Sequence, residues 1–375
     1  MKQVAVLTAL LAVALVGSYL TWTGDTEGDA DTDAAVLVYV ATERDLEQIR
    51  WKSDTLDVSV ERRTDDAGDY VWVSATETKE VEVAPEPTED PADAKPDEGE
   101  ENGEAPEEPT DAEPADAAEG DDAEDVVAKD GPETMTETTS TAFRGNKASD
   151  DLWANFAPLE ALRELTDAPG VDPTIFGFDE PVATVEIKRR SGVITLIIGA
   201  ETYGSKDKYV KLDDRVFLVD DAVLRPLQFA KTRMVERRLH PLSEKDTDKV
   251  TVVAGARPAS FIQQNADDRA KAYWAAESTP DEEHESAGLW LGKVFRMRAS
   301  GYIASEDVDG ELEPLFDVTL VDGEDSWTIK LLKSAGGDEA SSDYYAQSSF
   351  NRSLVKMTRS LASEAASDVE TLFGD

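Results

Sequence analysis

The chain has 375 residues, and 37 lysines and arginines against 81 aspartates and glutamates leave a formal charge of −44. That charge repels nucleic acid and anionic lipid surfaces wherever no local basic patch prevails. The absence of cysteine excludes disulfides, thiol catalysis, iron–sulfur clusters and cysteine-ligated zinc, and two histidines leave little for a histidine-based metal centre.

Val4 to Trp22 (VAVLTALLAVALVGSYLTW) carries no charge, which meets the roughly 20 apolar residues that a membrane-spanning helix requires. Lys2 precedes the run and Asp25 and Glu27 follow it. The positive-inside rule therefore points the N-terminus into the cytoplasm and the bulk of the chain outward, with Tyr19 and Trp22 at the outer interface. A cleaved signal peptide is the alternative. Its small-x-small site would be Ala12-Val13-Ala14, which lies inside the apolar run, or Val16-Gly17-Ser18. Both readings place the bulk outside the cytoplasm. The expectation is a single-pass protein of a bacterial inner membrane, with residues 1–23 as anchor and the membrane as its first partner.

Leu56-Asp57-Val58-Ser59-Val60 and Asp69-Tyr70-Val71-Trp72-Val73 alternate with the period of half-buried strands. Between Val73 and Ala142 there is no leucine, isoleucine or aromatic residue. Residues 76–142 are therefore expected to be a disordered insertion rich in Pro, Glu, Asp and Ala. It has too little apolar surface to offset roughly 1–2 kcal/mol of ordering entropy per residue. Asp150 and Asp151 then cap an expected helix carrying Leu152, Trp153, Phe156, Leu159, Leu162 and Leu165, turning or kinking at Pro158.

A hairpin follows from Ala183 to Ile198 about Ser191-Gly192, then a tyrosine segment (Tyr209 to Leu212), a strand (Arg215 to Val219) and a helix reaching Leu239. The same series recurs. Val250-Thr251-Val252, Ala259 to Gln263 and Lys271 to Ala275 precede a helix from Gly288 to Met297. A hairpin about Asp322-Gly323 and the segment Tyr344 to Gln347 come next. In a closing helix Phe350, Leu354, Met357 and Leu361 would form one apolar stripe. The order predicts an α+β protein of two related modules, residues 34–75 plus 143–240 and residues 241–375. Two unrelated α+β domains are the alternative.

The centre of the chain carries Phe176-Gly177-Phe178-Asp179-Glu180-Pro181, then Leu196-Ile197-Ile198-Gly199, Tyr209-Val210 and Arg215-Val216-Phe217-Leu218-Val219, with Trp72 upstream. This resembles the bacterial family catalogued as domain of unknown function 4340, over residues 36–75 and 145–275 and more loosely beyond. The resemblance implies a membrane-anchored extracytoplasmic protein, commonly encoded beside ABC-type transport components similar to those of gliding motility. It implies no enzymatic activity and no catalytic residue. Its motif residues Gly177, Pro181, Gly199 and Tyr209 are structural: the glycines are expected in tight turns and the proline at a strand start.

Gly199 to Lys206 approaches a phosphate-binding loop, but serine and lysine are swapped and a strand follows where a helix should begin. Ser305 to Gly310 hints at a calcium loop, but its twelfth position is Phe316. No HExxH or GxSxG occurs, and His240 and His284 lie in different segments. No catalytic, cofactor, nucleotide or metal site is therefore assigned, and no nucleic-acid partner. The one basic stretch is Ala222 to Pro241, with Arg225, Lys231, Arg233, Arg237 and Arg238 against Glu236 alone. Read as a basic helix, it would receive an acidic partner surface, a lipid headgroup or the chain's own acidic tract. Read blandly, it is a solvated face balancing Asp220 and Asp221. The expected function is a non-enzymatic accessory or interaction module of a membrane transport or surface machine, with protein partners in a membrane complex. The alternatives are a hydrolase of envelope polymers and a structural or adhesive surface protein.

Overall fold

The computed structural model describes residues 36–82, 134–166, 172–308, 310–335 and 342–374. The expected anchor and residues 83–133 of the acidic tract lie outside the described residues. Among the described residues no helix is long and apolar enough to cross a membrane.

The protein is α+β, mostly antiparallel strands with a few short helices. In chain order the first half contains β1 (Val36–Tyr39), β2 (Leu46–Lys52), β3 (Leu56–Asp65), β4 (Gly68–Glu82), β5 (Thr134–Arg144), α1 (Lys147–Asn155), β6 (Leu159–Ala161) and β7 (Arg163–Glu164). It continues with β8 (Ala183–Arg189), β9 (Gly192–Glu201), β10 (Lys208–Leu212), β11 (Arg215–Val219), α2 (Asp221–Gln228) and α3 (Ala230–Arg233). The second half contains β12 (Lys249–Ala254), β13 (Arg257–Gln264), β14 (Tyr273–Ala276), α4 (Glu285–Val294), β15 (Ala299–Tyr302), β16 (Leu312–Asp322), β17 (Asp325–Ser334), β18 (Tyr344–Ser348), β19 (Leu354–Met357) and α5 (Arg359–Asp368). The chain divides into two units, Thr78–Thr138 and the remainder. The described part of the smaller unit consists of the outer ends of β4 and β5. All other strands and every helix belong to the larger unit.

One sheet has the order β5-β4-β3-β2-β8-β9-β10-β11-β7 and the other β14-β13-β12-β16-β17-β18-β19-β15. If strands are counted from β2 in one and β12 in the other, leaving out β5 and the small β1–β6 pair, both sheets read third, second, first, fifth, sixth, seventh, eighth, fourth. The registers agree as well. Val60 pairs Ile49 and Val73 in one sheet, and Phe261 pairs Val250 and Ala276 in the other. Period-two alternation generates these strands, because every second side chain reaches the core. Val185 and Ile187 point inward from β8, as Phe316, Val318 and Leu320 do from β16. Each sheet is covered on that face by its own helices. Leu152, Trp153, Leu224 and Leu227 fill one core, and Trp290, Leu291, Val294, Ala362 and Ala365 fill the other.

Four expectations are corrected. First, the insertion is shorter than residues 76–142, since β4 runs to Glu82 and β5 begins at Thr134. The flanks are rich in threonine with Val81, residues that suit a pleated surface, and ladder hydrogen bonds rather than burial offset their ordering. Second, the helix expected from Asp150 to Leu165 ends at Asn155. It is capped by Asn146, whose side chain accepts from the Ala148 N–H, and Leu159 to Ala161 pairs with β1. Pro158 cannot supply the N–H that continuation requires. Third, the basic helix ends at Arg233. Beyond it Val235 bridges Gly145 and Arg238 bridges Arg298, so the backbone hydrogen-bonds to strands rather than to itself. Fourth, the closing stripe is not helical. Leu354, Val355 and Met357 belong to β19, and α5 starts at Arg359. A strand this short with both faces buried shows no alternation.

The motif residues hold the first sheet together. Gly177 takes φ +68° at the end of a 3-10 turn, as a turn requires. Gly199 is instead inside β9, where a Cβ would lie 2.0 Å from the Phe176 carbonyl oxygen, so its role is close approach rather than a turn. Pro181 precedes β8 without starting it. The Tyr209 ring meets Phe176 edge-on at 4.9 Å.

Candidate functional site

The five basic residues singled out from the sequence separate into two places. Arg225 pairs with Asp221 one turn earlier on α2, and Lys231 pairs with Glu77 at 2.9 Å. Arg233 is exposed on α3, while its carbonyl accepts from the Asn146 side chain. Arg237 and Arg238 lie beyond, in the extended segment that borders β15.

There the structure adds two arginines. Ala299 N–H donates to the Arg237 carbonyl at 2.8 Å, and Arg238 bridges Arg298. The segment thus extends the free edge of β15 and sets Arg238 opposite Arg298, with Arg237 and Arg296 on the same two neighbouring segments, all four exposed. Arg238 is tied to the buried Glu236 carboxylate at 2.7 Å, which holds its pKa above the ordinary arginine value. The other three donate to backbone carbonyls. Arg237 donates to Ser300 (3.2 Å), Arg296 to Gly292 (2.8 Å), and Arg298 to Met297 (2.7 Å) and Phe295 (2.9 Å). Among the described residues none of these three has a carboxylate within ion-pair distance. Burial, and then the charge of Arg238, lower the Arg298 pKa. Guanidinium groups nevertheless stay charged at neutral pH, so the strip presents fixed positive forks that match carboxylate or phosphate oxygens. Nothing in the helical reading of 222–241 pointed to Arg296 and Arg298. The alternation in Phe295-Arg296-Met297-Arg298 was the available signal.

Behind the strip lies a polar junction between the two sheets. Tyr302 Oη donates to the Glu236 carbonyl at 2.9 Å, and buried Asn351 donates through Nδ2 to the Arg238 carbonyl and to Tyr302 Oη, both at 2.9 Å. Burial raises the Tyr302 pKa to about 12. Arg144 lies 3.7 Å from the Phe350 ring centroid. Arg352 Nη2 donates to Asp65 at 2.8 Å and its guanidinium stands 4.1 Å from the Tyr70 ring centroid. The hydrogen bond from Arg352 holds Asp65 down at about 2. His240 is buried against Phe295, its rings 5.4 Å apart and nearly perpendicular.

The remaining motifs resolve into structure. Ser205 donates to Asp207 at 2.6 Å in the turn before β10, as the strand connection requires. His284 caps α4, its Nδ1 accepting from the Ala287 N–H at 3.1 Å. Among the described residues no cluster of three potential metal ligands occurs. Compared with protein-family models, curated proteins and solved structures, the chain matches none.

Proposed function

We propose that this chain is a non-enzymatic extracytoplasmic accessory module of a membrane transport or surface machine, built from two related α+β modules, with the arginine strip as its docking site for an acidic partner surface. The single observation that carries the docking site is that Arg237, Arg296 and Arg298 are exposed on two neighbouring segments and have no carboxylate within ion-pair distance among the described residues, in a chain with 81 acidic residues. In so acidic a chain, exposed arginines on neighbouring segments joined only to backbone carbonyls offer positive charge complementary to a negative partner, which speeds and orients encounter with it. The common strand order and register support the relation between the modules. The uncharged N-terminal run and the family resemblance support the membrane setting.

The test is cross-linked co-purification of the full-length chain from its own membranes, beside a variant with Arg237→Glu, Arg296→Glu and Arg298→Glu. ABC permease subunits are expected with the natural chain and at least tenfold less with the variant, at unchanged melting temperature. Recovery of no membrane partner overturns the accessory role, and equal recovery with both chains overturns the strip.

A further inference from the structure

The Arg352 contact that joins the two sheets within the chain has a counterpart on which, among the described residues, no turn is seated. At the first sheet the β3–β4 end offers Asp65 and Tyr70, and the β18–β19 turn of the second sheet docks there through Arg352. Register identifies the equivalent place on the second sheet. Tyr70 lies three residues before the Val73–Val60 pair, and Tyr273 lies three residues before the Ala276–Phe261 pair. Beside Tyr273 is an open recess of about 590 Å³, lined also by Trp274, Glu244, Lys245, Asp267 and Arg269.

The docking turn likewise has an equivalent. Strands β10 and β11 occupy the places in the first sheet that β18 and β19 occupy in the second, and the turn between them is Asp213-Asp214. Both turns contain a non-glycine residue in the left-handed region, Asp213 at φ +54° and Arg352 at φ +60°. Asp213 and Asp214 are exposed. The charges at the two places are exchanged. Within the chain an arginine of the turn meets Asp65. At the recess, acidic turn residues would meet Arg269, which has no carboxylate partner among the described residues, and Lys245, which lies 3.5 Å from Asp246. Of the two recess carboxylates, Glu244 is engaged by the Trp274 indole at 3.1 Å.

We propose that the recess beside Tyr273 receives the Asp213-Asp214 turn of a second copy of this chain. Copies then associate head to tail through a repetition of the contact that already joins the two sheets. The contact is heterologous, using different surfaces on the two copies, so it leaves one recess and one turn free for further addition. It is independent of the arginine strip.

Sedimentation of the full-length chain in a mild nonionic detergent, over a concentration series at low ionic strength, tests this. The protein mass should at least double across the series and fall back with added salt, which screens exposed charge pairs. Arg269→Glu alone and Asp214→Arg alone should each abolish the increase, and the two together should restore it by exchanging the pair. The triple arginine-strip variant should associate like the natural chain, so the failure of one proposal is distinguishable from that of the other. A mass that stays monomeric throughout overturns the inference. So does association unaffected by either single reversal, or a double variant that does not recover.

Discussion

Replacing His240 by leucine should remove a pH dependence of stability that the natural chain is expected to have between about pH 6.5 and 4. The imidazole is 2 % exposed and its nitrogens make no close hydrogen bond. Burial first, and then the Arg298 guanidinium, lower its pKa from 6.5 to about 4, and the nearby Leu242 backbone offsets this only in part. The folded state therefore favours the neutral ring while the unfolded chain takes up a proton near 6.5. Stability from this group is complete above 6.5 and drains away as the pH falls toward 4. At about 1.4 kcal/mol per pH unit the gap corresponds to about 3.5 kcal/mol. The carboxylates held lowest at about 2 act mostly below this window: Asp65 loses its contribution from 3.8 downward, and Glu164 from 4.5, at the acid edge of the window and equally in both proteins. Asp150, raised by burial, acts in the opposite sense and is common to both proteins. Urea denaturation of the natural chain and of His240→Leu, at neutral pH and at the acid end of the window, measures the difference. The variant should lie within about 1.5 kcal/mol of the natural chain at neutral pH, because the swap nearly conserves volume, and should change little on acidification. Parallel losses in the two proteins would refute the buried neutral imidazole as the cause.

Gly199→Ala should destabilise by about 1–3 kcal/mol, because its Cβ has only the space already filled by the Phe176 carbonyl. Gly288→Ala on α4, where nothing lies within 4 Å, should stabilise by about 0.5–1 kcal/mol. Thermal denaturation should move the two midpoints in opposite directions. Asn351→Ala leaves the Arg238 carbonyl without its buried donor and should cost about 1–3 kcal/mol by chemical denaturation. Trp290→Ala removes a fully buried ring and its 2.8 Å bond to the Ala365 carbonyl, and should cost about 3–5 kcal/mol in the same assay.

The parts of the fold legible in the sequence are those whose signal is local. The hairpins β8–β9 and β16–β17 show it best. Their inward residues alternate, and Gly192 and Gly323 take the positive φ that their turns require. The matching order of the two halves rests on these hairpins and on the tyrosine segments that follow them. What was not legible depends on partners far away in sequence. Val235 to Leu239 is extended because Gly145 and Arg298 stand beside it, and no property of 222–241 announces either neighbour. The same dependence scattered the basic residues of that stretch and brought Arg296 and Arg298 to Arg237. At 354–357, leucine, valine and methionine are all buried, so the spacing that suggested a helical stripe was produced by a short strand between β18 and β15.

The common strand order has a kinetic consequence. In both sheets the first strand lies at the centre and pairs with the fifth, so the middle of each sheet closes only after most of its half exists. The second sheet joins Val250 to Leu320, whereas the first must join Ile49 to Ile187 across about twice that length, which costs about 0.6 kcal/mol more in loop-closure entropy. Pairings distant along the chain also form more slowly. When the full-length unfolded chain refolds, the second half is thus the one that closes its centre more readily. In that refolding the Arg352 turn is set to be in place before the β3–β4 end that receives it.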